Sequence, residues 1–449
     1  MNHTIYEQES LSKLIFAFGI PSILSLMIEM LTGVVDTAFA GNLPGIGGNA
    51  LSAMALISPI LGIFIALQTL FAMSTGILIA KYMKQKEKQN SSYVTGVVMS
   101  LVVAVITSVL CYFMMTKMLS ALGADGQIMD LAVTYLQIQL MSNIFSSLGY
   151  TLTCCVRAFG YPRVEVAIIS ASVAINIMFN FIFAFVFDWG IAGLAWGTFV
   201  SESVCAISAV LFLIKKKRWI PKRMLSGKEF SYRAFELFKI GIAQTMIQML
   251  GGITGIIVNT RLLSLGSMTH LAAWSIVQRI YSLVLMPIVG LTQGVQNIIA
   301  YFSGNKEQEK IHKISKLTMT YCSAYGIVAL IIMVFFGEKF LILFGRNIDV
   351  IEMAKQILLI AFVGFPFIGV LYTDMTLLQV TGHEISSVLI ILSRQVFFLL
   401  PLIYIVPFIV RVGGFGISQA MALFLCMPIA DLLATGFALV IKKKIVKKI

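Results

Sequence analysis

The sequence predicts an all-α integral membrane protein, with twelve transmembrane helices in two pseudo-symmetric six-helix lobes. Three observations carry that prediction. Hydrophobic residues make up 59% of the 449 and charged residues 12%, with a mean hydropathy of +0.93. That leaves too little polar surface to cover a water-soluble particle of this size. Apolar runs that reach the ~20 residues a spanning helix needs recur along the whole chain. The chain also repeats itself at a spacing of about 220 residues. Gly33-Val34-Val35-Asp36-Thr37 returns as Gly255-Ile256-Ile257-Val258-Asn259-Thr260, and Tyr150-Thr151 with Gly160 returns as Tyr372-Thr373 with Gly382. Ala80 and Lys86-Glu87 are echoed by Ala300 and Lys306-Glu307, and Gly190-Ile191-Ala192-Gly193 by Gly413-Gly414-Phe415-Gly416.

The first six apolar runs cover residues 14–40, 51–80, 93–116, 131–156, 165–187 and 191–214. The second six cover 236–263, 270–300, 316–343, 353–380, 386–409 and 414–441. Residues 1–214 are thus expected to form an N-terminal lobe and 236–449 a C-terminal lobe, with a cytoplasmic basic linker at 215–235. The polar stretch before the first run holds Glu7 and Glu9, and that run is too long for the core of a cleaved signal peptide, so the first span is expected to stay. Pro21, Pro59, Pro287, Pro366, Pro401, Pro407 and Pro428 interrupt apolar runs and permit bends where a cavity or a neighbouring helix re-satisfies the freed carbonyl.

A net charge of +13 could indicate nucleic acid, but the basic residues fall on alternate loops instead of one soluble face. Lys117, Arg261, Arg279, Lys339, Arg346, Lys355 and Arg411 are the exceptions. This asymmetry reads as membrane orientation with both termini in the cytoplasm of a multi-pass cell-membrane protein. Lys215 to Lys239, between spans 6 and 7, and the tail with Lys442-Lys443-Lys444 and Lys447-Lys448 set topology and offer charge to anionic lipid. The six cysteines fall inside spans with neither metal-ligand nor disulfide spacing, and there is no glycine-rich phosphate loop. No cofactor, no nucleic-acid partner and no ATP site are expected.

Ionisable residues within a span cost about 2.5–3.5 kcal/mol each, so each calls for a reason. Glu29, Asp36 and Glu202 lie in the first half; Arg279, Asp374, Arg394 and Asp431 lie in the second. Asp36 follows Glu29 by seven residues, which leaves the two only ~20° apart around a helix. Asn176 and Asn180 are separated by four, again on one face. A carboxylate facing two carboxamides can hold a proton or a small hard cation. The same residues also have blander roles: Asp36 reaching interfacial water, a permanently protonated Glu29, and asparagines that hold helices together. Methionines such as Met27, Met30, Met246 and Met249 could give a cavity a soft lining.

Taken together, these residues resemble the multidrug and toxic compound extrusion (MATE) transporters of the multidrug/oligosaccharidyl-lipid/polysaccharide flippase superfamily, from about Lys13 to Lys444. The resemblance rests on Pro21 followed by Asp36, Thr37 and Gly41, and on Leu51, Ala53 and Ser58-Pro59. It continues in Arg157-Ala158-Phe159-Gly160, Asn176 with Asn180, Gly190-Ile191-Ala192-Gly193, and Pro287 to Gly294 through Ala300 to Lys306. It implies export of amphipathic, cationic small molecules by a monomer in the lipid bilayer. Alternating access would couple that export to inward movement of H+ or Na+. Asp36 matches the family's coupling acid, and Asn176 and Asn180 match its polar partners. A sodium ion, if it is the coupling ion, would sit at Asp36 and Asn180, with Thr32 or Thr37 near.

Accessory or cavity residues would be Glu29, Thr32, Gln248, Asn259, Arg279 and Asp374. The chain departs from some members by having no acid in span 7, where Asn259 is the repeat counterpart of Asp36. Coupling is therefore expected in the first lobe. A lipid-linked oligosaccharide flippase is the alternative, with Arg279 and Arg394 as its basic candidates. An integral-membrane enzyme using Asp374, Glu202 or Asp431 is a further one, disfavoured by their isolation in separate spans.

Overall fold

The computed structural model describes residues 4–8, 10–218, 226–266, 268–342, 348–413 and 416–446, and among these there is no strand. Its helices are α1 (Thr4–Gln8), α2 (Leu11–Gly41), α3 (Gly47–Lys81), α4 (Lys86–Ala121), α5 (Gly126–Ala158), α6 (Pro162–Phe181) and α7 (Gly190–Lys215). They continue as α8 (Gly227–Leu265), α9 (Met268–Gly304), α10 (Gln308–Ile342), α11 (Ile348–Val363), α12 (Phe365–Val380), α13 (Glu384–Leu392), α14 (Leu400–Gly413) and α15 (Gln419–Val446). A π-helical turn, Ile182–Val186, extends α6, and another, Ser393–Leu399, joins α13 to α14.

Ten of these helical segments are long and apolar enough to cross a membrane, and α11 with α12, bent by 44°, makes an eleventh. The bend falls at Gly364, just before Pro366, where a ring in place of an N–H cannot continue the helix. The segment absent from that set is α5, which at 33 residues is long enough but carries Gln137, Gln139, Ser142, Asn143, Ser147 and Thr151. All but the exposed Gln137 are hydrogen-bonded within the protein. Ser100 Oγ lies 2.7 Å from both Ser147 Oγ and Thr151 Oγ1, Asn143 Nδ2 donates to Ser108 Oγ at 2.9 Å, and Gln68 Nε2 donates to Asn143 Oδ1 at 2.8 Å. Such interhelical bonds contribute about 0.6 kcal/mol each on average. Packing against α3, α4 and α7 lets α5 carry these polar groups where partners on those helices meet them.

The internal repeat is visible in backbone detail. Gly160 and Gly382 both have φ of 90°, and each ends its helix with the same bonds: Tyr161 N donates to Val156 O at 3.1 Å and His383 N to Leu378 O at 2.9 Å. These are matching left-handed caps, a conformation in which glycine carries no Cβ penalty.

The chain divides into two compact units, one of Met1–Ser10, Ile20–Gln248 and Ala300–Lys306, the other of Leu11–Gly19, Met249–Ile299 and Glu307–Ile449. These bounds differ from a division at 214 and 236. The reason is local packing: Gly241 sits where a Cβ would lie 2.0 Å from Leu70 O, and Thr245 Oγ1 donates to Ala66 O at 3.3 Å, so the first half of α8 stays with α3. Of the segment expected as a linker, residues 227–235 are helical and 219–225 lie outside the described residues. Arg346, Gly414-Phe415 and Lys447-Lys448 also lie outside them.

The same unit is pinned at one end by polar contacts. Tyr6 is buried and donates to Ala158 O at 3.0 Å, while Glu7 accepts from Tyr301 at 2.6 Å and pairs with Lys84 at 2.9 Å. Tyr82 donates to Glu236 at 2.6 Å; burial, reinforced by that carboxylate, pushes its phenol up to about 12, so it remains a donor at neutral pH.

Candidate functional site

α6 and α7 bring the expected polar residues together because α7 is small where it meets α6. Gly193 and Gly197, four residues apart, face the same neighbour. A Cβ on Gly193 would lie 2.6 Å from Ala184 N, and one on Gly197 would lie 2.0 Å from Asn180 Oδ1. This is the small-residue spacing that lets membrane helices approach backbone to backbone. The π-helical turn begins at Ile182, two residues after Asn180, and such turns recur at functional positions.

Asn180 is wholly buried, and its Nδ2 donates to Asp36 Oδ1 at 2.5 Å and to Asn176 Oδ1 at 3.1 Å. Asn176 therefore reaches Asp36 through Asn180. Its own Nδ2 makes longer contacts to Thr198 Oγ1, 3.4 Å, and Ser201 Oγ, 3.5 Å. Buried Tyr135 lies within electrostatic reach of Asp36, and its hydroxyl accepts from Gln139 Nε2 at 3.0 Å and contacts Thr198. Asn180 Oδ1 is buried with no hydrogen-bond partner. The carboxylate thus sees one strong donor, a phenol, and a network that leads to α5 and α7.

Thr198, Ser201, Tyr135 and Gln139 join this site without having been marked in the sequence. Their signal was faint: Thr198 and Ser201 are three apart, and Tyr135 and Gln139 four apart, on helices rich in similar residues.

The other expected residues are distributed differently. Glu29 is exposed on α2 and within electrostatic reach of Arg157, Glu165 and Glu202. Thr32 is half-buried with its hydroxyl turned back to Ile28 O at 3.5 Å, and Gln248 is exposed near the middle of α8. Asn259, half-buried with an unpartnered Oδ1, and Arg279, exposed on α9, belong to the other unit. So does Asp374, which is fully buried and held by Lys442 Nζ at 2.5 Å. Arg394 and Asp431 form a second such pair at 2.6 Å. Neither pair was expected; both neutralise charge inside that unit. Arg157 entered only through the Arg157-Ala158-Phe159-Gly160 resemblance, yet it is 4% exposed and paired with Glu165 at 3.1 Å.

Two units of repeated helices, with one acid held by asparagine in the first, fit the secondary-transporter class. The family model MatE matches residues 21–182 and 242–405, and the chain belongs to this family of MATE transporters. It is 27% identical over 438 residues to the multidrug export protein MepA of Staphylococcus aureus (strain MSSA476), covering 95% of this chain and 94% of that protein. To MepA of Staphylococcus haemolyticus (strain JCSC1435) it is 25% identical over 430 residues, covering 95% and 93%.

Among solved structures it resembles the Vibrio cholerae MATE transporter VcmN in the bent form, with a TM-score of 0.88, 19% identity, and 99% of each chain covered. It also resembles an outward-facing multidrug resistance MATE family transporter of the MOP superfamily, with a TM-score of 0.89, 17% identity, and 99% and 98% covered. At these identities the solved structures establish the fold.

Gly197 offers a direct probe of the site. Gly197→Ala places a methyl group against the Asn180 carboxamide, and overpacking of this kind costs about 1–3 kcal/mol. The expected result is a lower melting temperature for the purified protein and a loss of transport larger than the loss of folded protein. Unchanged melting and transport would mean that Asn180 is not held where the structure has it.

Proposed function

We propose that the protein exports amphipathic cations in exchange for protons, and that Asp36 is the group the two cargoes use in turn. The observation that carries this reading is the bond between the Asp36 carboxylate on α2 and the wholly buried Asn180 amide on α6. Ionised, Asp36 accepts from Asn180 Nδ2. Protonated, it accepts that bond without the help of its charge, and its other oxygen gains an O–H that needs an acceptor of its own. Protonation therefore biases the packing of α2 on α6, which is the differential interaction that a two-state exchanger requires. Drug export is carried over from the MepA proteins, which are multidrug export proteins, and a cationic cargo is what an ionised Asp36 would favour.

The test is movement of an amphipathic cation such as ethidium in proteoliposomes under separately imposed pH and sodium gradients. An acid-outside gradient in nominally sodium-free vesicles is expected to drive export. A second reading has one observation in its favour: the unpartnered carbonyl oxygen of Asn180, with the Asp36 carboxylate, could serve as ligands for a sodium ion. Transport that ignores pH and answers to external sodium would select it.

The flippase alternative is weakened because Arg394 is paired with Asp431 and so is not free to hold a pyrophosphate. Asp374, one of the acids an enzyme reading would use, is held in an ion pair with Lys442. For orientation in the cell membrane, a reporter fused after Lys217 or Lys444 is expected to read as cytoplasmic, and one at Asn49 or Arg346 as external. A cytoplasmic signal at Asn49 would overturn the assignment of both termini to the inside.

A further inference from the structure

Helix α2 carries Ser22, Ser25, Glu29, Thr32 and Asp36 at successive steps of three, four, three and four residues. On an α-helix these positions fall within roughly 80° of arc and rise ~21 Å from first to last. Neighbours in such a row are about 5–6 Å apart, a gap that one water bridges.

The row leads to a buried ion pair. Ser22 is fully buried and accepts from Arg157 Nη1 at 3.2 Å, and Arg157 Nη1 also pairs with Glu165 Oε1 at 3.1 Å. Arg157 Nε, Glu165 Oε2 and Ser25 Oγ are all buried with no hydrogen-bond partner, and Ser25, Arg157 and Glu165 are 4%, 4% and 3% exposed. Buried polar atoms are normally satisfied, and a donor, an acceptor and a hydroxyl left open around one ion pair call for water.

Glu202 on α7, hydrogen-bonded to Ser146, is within electrostatic reach of both Asp36 and Glu29, so its charge acts on both α2 carboxylates.

We propose that this row, with Glu202 beside it, is a path that carries the exchanged proton between Asp36 and the buried Arg157–Glu165 pair at its end. It rests on the proton reading above. The charged and titratable groups facing it are Glu29 and Asp36 on α2, Tyr135, Tyr150, Cys154 and Arg157 on α5, Glu165 on α6, and Glu202 and Cys205 on α7. One guanidinium cannot balance four carboxylates in a membrane interior, so protons must be shared among them.

In each transfer the O–H bond of a protonated carboxyl breaks as a water accepts its proton, and that water releases a proton to the next carboxylate. The donor becomes charged and the acceptor neutral, with no other change. Beyond Glu29 the path runs through Ser25 Oγ to the unpartnered atoms Arg157 Nε and Glu165 Oε2.

The experiment uses the full chain in proteoliposomes with ethidium as probe. One arm measures movement driven by a pH gradient, and the other measures ethidium–ethidium exchange with no gradient, which needs no proton step. Ser25→Ala and Glu29→Gln are expected to lower the driven arm by roughly tenfold or more while exchange stays within about twofold, and Ser25→Thr, which keeps the hydroxyl, is expected to behave as the parent. Equal losses in both arms, or a driven arm that Ser25→Ala and Glu29→Gln leave intact, would overturn the path alone. A parent protein driven by sodium and indifferent to pH would remove both the path and the proton reading.

Discussion

Asp36→Asn is expected to abolish proton-driven export while leaving the protein folded and inserted. The substitution keeps the side chain's shape, and its carbonyl oxygen can still accept the hydrogen bond that Asn180 Nδ2 now gives to Asp36. What it removes is the capacity to bind and release a proton, and with it the change in strength of the hydrogen bond between α2 and α6. Export driven by an imposed pH gradient should fall to the leak of protein-free vesicles, with melting temperature and membrane abundance close to the parent. Asn259→Ala, at the repeat-related position in the other unit, should cost far less, because no acid titrates there. Cells that keep full drug resistance with Asn at position 36 would remove Asp36 from the coupling role.

The fold was legible because membrane insertion writes its demands in long apolar runs, and because the repeat is carried by residues with backbone tasks. Gly160 and Gly382 could be paired across the sequence since both are needed at left-handed caps. The helix that escapes simple apolarity, α5, could be placed from its neighbours but not explained, since its polar groups make sense only with Ser100, Ser108 and Gln68 beside them. The extent of each unit was less visible. Where α8 packs against α3 depends on a contact between Gly241 and a backbone carbonyl, and no composition shift marks it.

The site was legible in part for the same reason. Asp36, Asn176 and Asn180 could be found because such residues are rare and costly in lipid. Thr198, Ser201, Tyr135 and Gln139 are ordinary in membrane helices, so only the fold distinguishes them. Ion pairs were the least legible feature. Asp374 is separated by 68 residues from Lys442, and Asp431 by 37 from Arg394, and nothing in either local sequence announces its partner.

The buried Arg157–Glu165 pair gives the largest expected effect on stability. Arg157→Met keeps the length and apolar stem of the side chain but leaves Glu165 buried beside no cation, with both Oε1 and Oε2 unsatisfied where only Oε2 is now. Breaking a buried pair from one side typically costs about 3–5 kcal/mol, whereas replacing both partners with apolar residues of similar volume is often near neutral. Arg157→Met alone should therefore melt far below the parent, and adding Glu165→Met should recover most of the loss. A double variant no more stable than the single would show that Arg157 acts through its bond to Ser22, or through its contacts with Met73 and Cys154, and not through Glu165. The recovered double variant also separates stability from transport: if Arg157 and Glu165 end the proton path, it should fold, exchange ethidium for ethidium, and fail to respond to a pH gradient.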